Sequence, residues 1–256
     1  MSFDSVPILL VFVATIGLVL FALEMGVRIG RRRARQQDAR SDVSGAMVGA
    51  SMGLLAFLLA FTFNSAAVRH DIRKNLVVEE ANAIETTWLR AGFLPEPSRA
   101  DMRGLLRDYV DLRLKAANGE LDITQAILRS NAMQDRMWAL AEEAGRKEPG
   151  SITVGLFVQA LNEVIEDQVK RVTVGVRNRV PATIWGTLYL LMVIAMGMMG
   201  VQVAQGGTRH WGIELALALT FSTALFLIVD LDRPQEGLIN VSQQALVDLQ
   251  TTLHAK

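Results

Sequence analysis

Long runs without a charged side chain alternate with strongly polar segments along this chain. Three runs of 19, 26 and 29 uncharged residues occupy positions 5–23, 43–68 and 180–208. Each supplies the roughly 20 residues that a helix needs to cross about 30 Å of hydrocarbon. A fourth run of 15 residues, 215–229, also reaches across when it is counted from Trp211, a residue type suited to the membrane interface. The pattern predicts transmembrane helices near 6–28, 43–67, 182–204 and 211–229.

The polar segment between the second and third predicted spans has helical periodicity. One helix face carries Met102, Leu105, Leu106 and Tyr109. Turn signals divide the segment near residues 92–95, 118–119 and 149–150. The expected helix caps are Ser98 in a capping box with Asp101, then Asp122 and Ser151, and finally Ser242 before the last amphipathic helix.

The predicted fold class is therefore all-α: an integral membrane protein with four transmembrane helices and an extramembrane helical bundle between helices two and three. We expect four regions. Residues 1–67 hold membrane helices one and two with an arginine-rich connecting loop, and residues 68–181 form the helical bundle. Residues 182–229 hold membrane helices three and four, and residues 230–256 form a C-terminal tail with a short amphipathic helix.

Composition narrows the function classes. Hydrophobic residues make up 51% of the chain and aromatic residues 6%, so the apolar content is aliphatic, as in membrane helices. The 26 basic and 26 acidic residues balance, which removes the basic surplus that nucleic-acid binding requires. With no cysteine and three scattered histidines, we expect no metal centre and no cofactor. No catalytic motif is present, so we do not expect an enzyme.

The loop RIGRRRARQQDAR after the first span indicates the orientation in the membrane. Its six arginines contrast with an N-terminus that has no basic residue. By the positive-inside rule, this loop lies in the cytoplasm, and the N-terminus and the helical bundle lie on the other side of the membrane. Basic residues near 69–74 and 170–179 favour the opposite orientation, but long loops weigh less in the rule. A contact between the arginines and lipid headgroups is a further alternative.

Small residues on the second span predict close helix packing. Gly45, Gly49 and Gly53 recur every fourth residue and form a flat ridge that lets another helix approach. The partner helix could belong to the same chain or to a second subunit. Glu24 and Arg28 lie one turn apart at the end of the first span, where a boundary salt bridge is expected.

Several polar and aromatic residues are candidates for an ion pathway. They lie near the end of the second span (Phe61, Thr62, Asn64 and Ser65), on its helical continuation (Glu79, Glu80 and Glu85) and after the fourth span (Asp230 and Asp232). Glu80 shares a stripe with Leu76, Ile84 and Trp88, so its carboxylate must be paired with an arginine or take part in a cation site. Asp230 and Asp232 could attract cations at a pore mouth, or simply end a solvated helix.

The chain resembles a known family in three stretches. LLAFTFNSAAVRHDIRKNLVVEEANAIETTWLR, LPEPSRADMRGLLRDYVDLR and DLDRPQEGLINVS look like the bacterial bestrophin-like membrane proteins. Glu80-Ala81-Asn82 and Asp232-Arg233-Pro234 are the more specific features. Bestrophins are pentameric anion channels with four membrane helices per subunit.

The resemblance implies that Phe61, Asn64, Arg69 and Arg73-Lys74 correspond in spacing to the end of the bestrophin pore helix. Phe57, Phe61 and Phe63 are an approximate substitute for the phenylalanine constrictions of that pore. An acidic calcium clasp is not recognisable. Bestrophins place the region after the second span in the cytoplasm, which is opposite to the orientation that the arginine loop favours.

Two hypotheses follow. In the first, the chain forms a homo-oligomeric channel for an inorganic ion, with the second span around the axis. In the second, it is a non-conducting membrane protein whose helical bundle binds a partner or senses the cell envelope. Its expected environment is the lipid bilayer in both.

Overall fold

The computed structural model describes residues 6–35, 45–206, 209–233 and 237–255. In these ranges the chain forms helices and connecting segments, and no strand occurs among them. The α-helices are α1 (Ile8–Arg35), α2 (Gly45–Ala91), α3 (Ser98–Ala117), α4 (Ile123–Lys147), α5 (Ile152–Val172), α6 (Ala182–Gln205), α7 (Trp211–Asp232) and α8 (Gln244–His254). A five-residue π-helix, Thr173–Arg177, follows α5. The predicted all-α fold class is confirmed.

Helices α1, α2, α6 and α7 are long and apolar enough to cross a membrane, as predicted. Helix α1 extends further than the predicted span, through the first arginines of the expected loop to Arg35. Arginine is a good helix former and no proline or turn signal intervenes, so nothing ends the helix at the hydrocarbon boundary. Helix α2 has 47 residues and is about 70 Å long, more than twice the hydrocarbon thickness.

Two of the four expected caps, at Asp122 and Ser151, are present. The Asp122 carboxylate accepts hydrogen bonds from the backbone N–H groups of Thr124 and Gln125, and the Ser151 hydroxyl accepts one from Val154. The capping box at Ser98 was wrong: Ser98 is the first residue of α3, Pro97 precedes it, and no side chain caps the helix. Ser98 is therefore one position too late to cap α3, and the residue is buried. Ser242 is not the residue that precedes α8: Gln243 holds that position without a side-chain cap, and the Ser242 hydroxyl accepts one hydrogen bond of 3.3 Å from the Gln244 N–H group.

The chain divides into two compact units. We call Met1–His70 with Arg179–Ile239 the membrane unit, and Asp71–Asn178 with Asn240–Lys256 the helical unit. Helix α2 contributes its first part to the membrane unit and its second part to the helical unit. The described residues after α7 are likewise divided, because 237–239 belong to the membrane unit and α8 belongs to the helical unit.

In the membrane unit, α1 packs mainly against α6 and also against α7. The hydroxyl groups of Thr15 and Tyr189 are 2.9 Å apart at one end of the α1–α6 pair, and Gly30 lies against Ala204 at the other end. Because these contacts advance together along both helices, α1 and α6 run in the same direction. Apolar side chains of all four helices form the core, among them Val19, Leu59, Met192 and Ile228.

In the helical unit, the second part of α2 packs with α3, α4, α5 and α8 around one apolar core. Trp88, Leu106, Met137, Phe157 and Leu249 each belong to it. Arg103 and Arg107 place their guanidinium groups 5.1 and 4.8 Å from the centre of the Trp88 ring. The core therefore combines residues from every helix of the unit, including α8 from the C-terminal region.

Candidate functional site

One face of α2 in the membrane unit carries candidate pathway residues and is exposed. Phe57 and Phe61 are each 66% exposed, and Asn64 is exposed one turn after Phe61. Ser65 is half-buried, and its hydroxyl accepts a hydrogen bond of 3.2 Å from Arg69. Thr62 lies on the other face: it is buried, and its hydroxyl donates to the Leu58 carbonyl of its own helix. Phe61 and Asn64 thus share a surface that Thr62 does not reach.

The glycine ridge of α2 is also largely open. A Cβ atom added to Gly49 or Gly53 would meet nothing within 4 Å, and one added to Gly45 would lie 3.0 Å from the Gln202 amide nitrogen. The membrane unit therefore uses only the first of the three glycines in a close helix contact.

The tight contact between membrane helices lies instead between α1 and α6. A Cβ atom on Gly26 would collide with the Gly197 carbonyl oxygen, and one on Gly200 would collide with the Leu23 carbonyl oxygen. The two backbones approach closely because these positions have no side chain. Gly26 was not among the predicted packing positions. The spacing of four residues between Gly26 and Gly30 could have indicated close helix packing. It was not recognised because it leads into an arginine-rich stretch.

Glu80 is at the centre of a buried polar network in the helical unit. Its carboxylate is fully buried. One oxygen lies 3.3 Å from Arg113 Nε, and the other lies 3.2 Å from Arg171 Nη1. Helices α2, α3 and α5 each supply one of these charges, so the network joins three helices.

Tyr109 extends this network through its hydroxyl group. It donates to Glu80 at 3.3 Å or to the Gln168 side-chain oxygen at 3.2 Å, and it accepts from the Gln134 amide at 3.4 Å. Burial, and secondarily the nearby Glu80 carboxylate, raise the pKa of Tyr109 well above its ordinary value. The hydroxyl therefore stays protonated and available as a donor. The sequence did not place Tyr109 in a polar network, because its spacing matched the apolar face of α3.

The neighbouring acidic candidates of α2 are more accessible. Glu79 is exposed and Glu85 is half-buried. Among the residues that the structure describes, no group of three or more His, Asp or Glu side chains has the arrangement of a metal site.

Asp230 and Asp232 lie at the C-terminal end of α7 and bind backbone groups of the membrane unit. Asp230 accepts hydrogen bonds from the N–H groups of Leu238 at 2.6 Å and Ile239 at 3.0 Å. Gly237 permits this closure, because a Cβ atom there would be 2.6 Å from the Asp230 carboxylate.

The carboxylate of Asp232 connects the end of α7 to the start of α6. It accepts from the Val180 N–H group at 3.1 Å and lies 3.9 Å from the Arg69 guanidinium. Arg179 donates to the Asp232 backbone carbonyl. Both aspartates are buried and hold chain segments together.

A second charge network lies beside the C-terminal half of α1. The Arg209 guanidinium is 2.8 Å from Glu24 and 2.9 Å from Glu214, and it stacks 3.6 Å from the Trp211 ring centre. Glu24 also pairs with Arg28 at 3.0 Å, as expected. The pairing with Arg209 was not predicted, because it depends on the contact between α1 and α7.

Comparisons with known proteins agree with this architecture. The family model for the bestrophin-like domain matches residues 11–246. A comparison with curated proteins finds no match. The crystal structure of a bacterial bestrophin homologue from Klebsiella pneumoniae, solved by zinc SAD phasing, has 15% identity and a TM-score of 0.69, with 97% of each chain covered.

A single-residue variant of that Klebsiella pneumoniae homologue has a TM-score of 0.70 at 15% identity, over 94% of this chain and 98% of the other. A further structure, described as a membrane protein variant, has a TM-score of 0.70 at 14% identity, over 97% of both chains. At identities this low, the solved structures show similarity of fold alone. Membership of the family rests on the match to the family model. The chain therefore belongs to the bestrophin-like family of multi-pass membrane proteins.

Proposed function

We propose that this chain is the subunit of a homo-oligomeric ion channel in a bacterial inner membrane, with α2 around the channel axis. Its family is one of channels. The observation that carries the proposal is the exposed face of α2, where Phe61 and Asn64 lie side by side on a membrane helix.

The polar group on this face argues against lipid as its neighbour. An amide side chain such as that of Asn64 costs several kcal/mol when it is buried in hydrocarbon without a partner. Around an axis shared by several copies, the same face would contact water and permeating ions. The open ridge of Gly49 and Gly53 would let the copies of α2 approach closely.

The other candidates take two roles in this proposal. Ser65 continues the pathway beyond Asn64, and Glu79 and Glu85 offer carboxylates on the continuation of α2 that could influence selectivity. Thr62, Glu80, Asp230 and Asp232 act as positioning residues, because their polar atoms already have partners inside the subunit.

The experiment is ion flux through purified protein in liposomes, after light scattering has established the particle size. N64A should change the conductance or the ion selectivity at least severalfold. T220A is the matched control: Thr220 is an exposed polar residue of the span α7, and its hydroxyl donates to its own helix. Tight liposomes that contain folded, inserted oligomers would refute the proposal, and so would equal effects of the two substitutions.

A second candidate function is partner binding by the helical unit. The observation in its favour is a groove of about 530 Å³ between α3 and α4 with charges of both signs, including Asp108, Asp111, Lys115 and Arg129. Such mixed charge suits a protein surface. A stoichiometric heterologous partner that is lost in a charge-reversed groove variant, together with the absence of ion flux, would favour this function over the channel.

The proposed orientation places the N-terminus and the helical unit outside the cytoplasm, on the basis of the arginines after the first span. Family resemblance implies the reverse. Because the chain has no cysteine, single cysteines at exposed sites such as Glu148 in the helical unit can be labelled without background. Labelling of intact cells by a membrane-impermeant maleimide would support the outside position, and labelling only after lysis would reverse it.

A further inference from the structure

A groove on the membrane unit lies between α1 and α6 and has a volume of about 430 Å³. Its walls are the side chains of Leu18, Phe21, Met25 and Ile29 from α1 and of Val193, Met198 and Val201 from α6. Its floor includes Gly26 and Gly197, where the close approach of the two helices leaves no side chain between the walls. The groove follows from the small-residue contact already described, and neither the ion pathway nor the polar networks use it.

The dimensions and chemistry of the groove suit one lipid acyl chain. From Leu18 to Ile29 the α1 wall extends about 16 Å along the helix, close to half of the roughly 30 Å hydrocarbon thickness. The wall residues Phe21, Met25 and Ile29 are exposed, and all of them are apolar. An unfilled groove would lose the dispersion contacts that an acyl chain provides.

The end of the groove carries positive charge. Arg33 is exposed and lines the groove one turn beyond Ile29. Arg31 and Arg32 are exposed beside it on the same helix. A guanidinium group binds phosphate through paired hydrogen bonds, and basic positions next to grooves between membrane helices bind anionic lipid headgroups. The apolar groove thus corresponds to the acyl chain of a phospholipid, and Arg33 at its end corresponds to the headgroup.

We propose that the α1–α6 groove is a binding site for an anionic phospholipid, with one acyl chain between Phe21 and Val193 and the phosphate at Arg33. The positive charge of Arg33 favours an anionic headgroup over a zwitterionic one. Binding would fasten α1 to α6 near the arginine-rich end of α1, independently of whether the protein conducts ions.

The test is native mass spectrometry of the full chain in detergent, titrated with phosphatidylglycerol or with phosphatidylcholine. The wild type should bind one phosphatidylglycerol per chain at least tenfold more tightly than phosphatidylcholine. R33Q should weaken phosphatidylglycerol binding at least fivefold. R32Q removes the same charge from the adjacent exposed position outside the groove, and it should change the affinity less than twofold.

A second pair of variants tests the groove itself. A side chain at Gly197 has space, since its Cβ would meet only the Ala22 carbonyl oxygen at 3.9 Å, so G197L should fill the groove and abolish lipid binding. G186L adds the same side chain to an open, exposed position of α6 and should leave binding unchanged. If G197L fails to fold, the comparison of R33Q with R32Q still tests whether the lipid phosphate binds at Arg33.

Four outcomes would overturn the proposal. Equal losses in R33Q and R32Q would indicate general charge attraction, and a loss below fivefold in R33Q would mean that the phosphate lies elsewhere. Equal affinity for the two lipids would mean that the site does not recognise the lipid headgroup. Lipid-free protein whose oligomer dissociates in G197L would show that a second copy of the chain, rather than a lipid, covers the groove.

Discussion

Replacement of Glu80 by alanine tests whether the buried charge network holds the helical unit together. The change removes the only acidic partner that the structure describes between Arg113 and Arg171, whose side chains are 5% and 15% exposed. Two guanidinium groups would then lose the one carboxylate that pairs with both of them. Breaking a buried ion pair by removing one partner costs about 3–5 kcal/mol, because the remaining charge has lost its hydration as well.

The neighbouring residue provides the control. Glu79 is exposed on the same helix, and a surface substitution of this kind changes stability by no more than about 0.5 kcal/mol. E79A and E80A remove the same chemical group one residue apart, so helix propensity and net charge change equally. The expected difference between the two variants is therefore due to burial and pairing alone.

The measurement uses one reporter cysteine in the otherwise cysteine-free full chain. Ala141 belongs to the core of the helical unit and is 2% exposed, so A141C reacts with a maleimide only when that unit opens. For a urea dependence of about 2 kcal/mol per molar, a loss of 3–5 kcal/mol lowers the midpoint by about 1.5–2.5 M. E79A should leave the midpoint within about 0.3 M of the wild type.

A double-mutant cycle with R113M separates pairing from cavity formation. If the ion pair is responsible, R113M should cost less in the E80A background than in the wild type, with a coupling energy of about 0.5–3 kcal/mol. Coincident midpoints for E80A and E79A would refute the reasoning. So would additive losses in the cycle, since they would mean that Glu80 stabilises the unit by packing alone.

Two further predictions concern other parts of the molecule. G26V should destabilise the membrane unit by about 1–3 kcal/mol or more, because the valine side chain collides with the α6 backbone. Thermal aggregation in detergent measures this loss. G49V, where the space is open, should keep the fold and change only the particle size. The raised pKa of Tyr109 means that the folded state holds this proton more tightly, so its contribution is complete below the ordinary pKa of about 10 and is lost as the pH rises above it. Y109F should therefore flatten the decline of the urea midpoint above pH 10, and an unchanged slope would contradict the assignment.

The extent of correct prediction differs between the fold and the candidate site. Charge-free runs located all four spans because exclusion of charge from hydrocarbon is a property of each segment by itself. Asp122 and Ser151 were recognised as caps for the same reason, since a cap acts within its own turn. Ser98 was not a cap although its spacing to Asp101 fits the motif, because Ser98 is itself the first helical residue and its side chain is buried.

The site residues were harder to interpret. The stripe of Leu76, Ile84 and Trp88 correctly implied a buried carboxylate at Glu80. Which arginines meet it could not be inferred, since Arg113 and Arg171 are 33 and 91 positions away. Thr62 and Asn64 are two residues apart and looked equivalent, but the packing of α2 buries one and exposes the other.

The sequence by itself thus determined which segments lie in the membrane and which lie in water, and that the chain is helical. Hydropathy, periodicity and turn residues reveal this because they act over a few neighbouring positions. Tertiary structure alone decided which charges are paired, as with Glu24 and Arg209, and that Gly26 meets the backbone of α6. Those outcomes depend on distances between helices that are remote in sequence. Such distances follow from the packing of all side chains at once and from no single stretch of the chain.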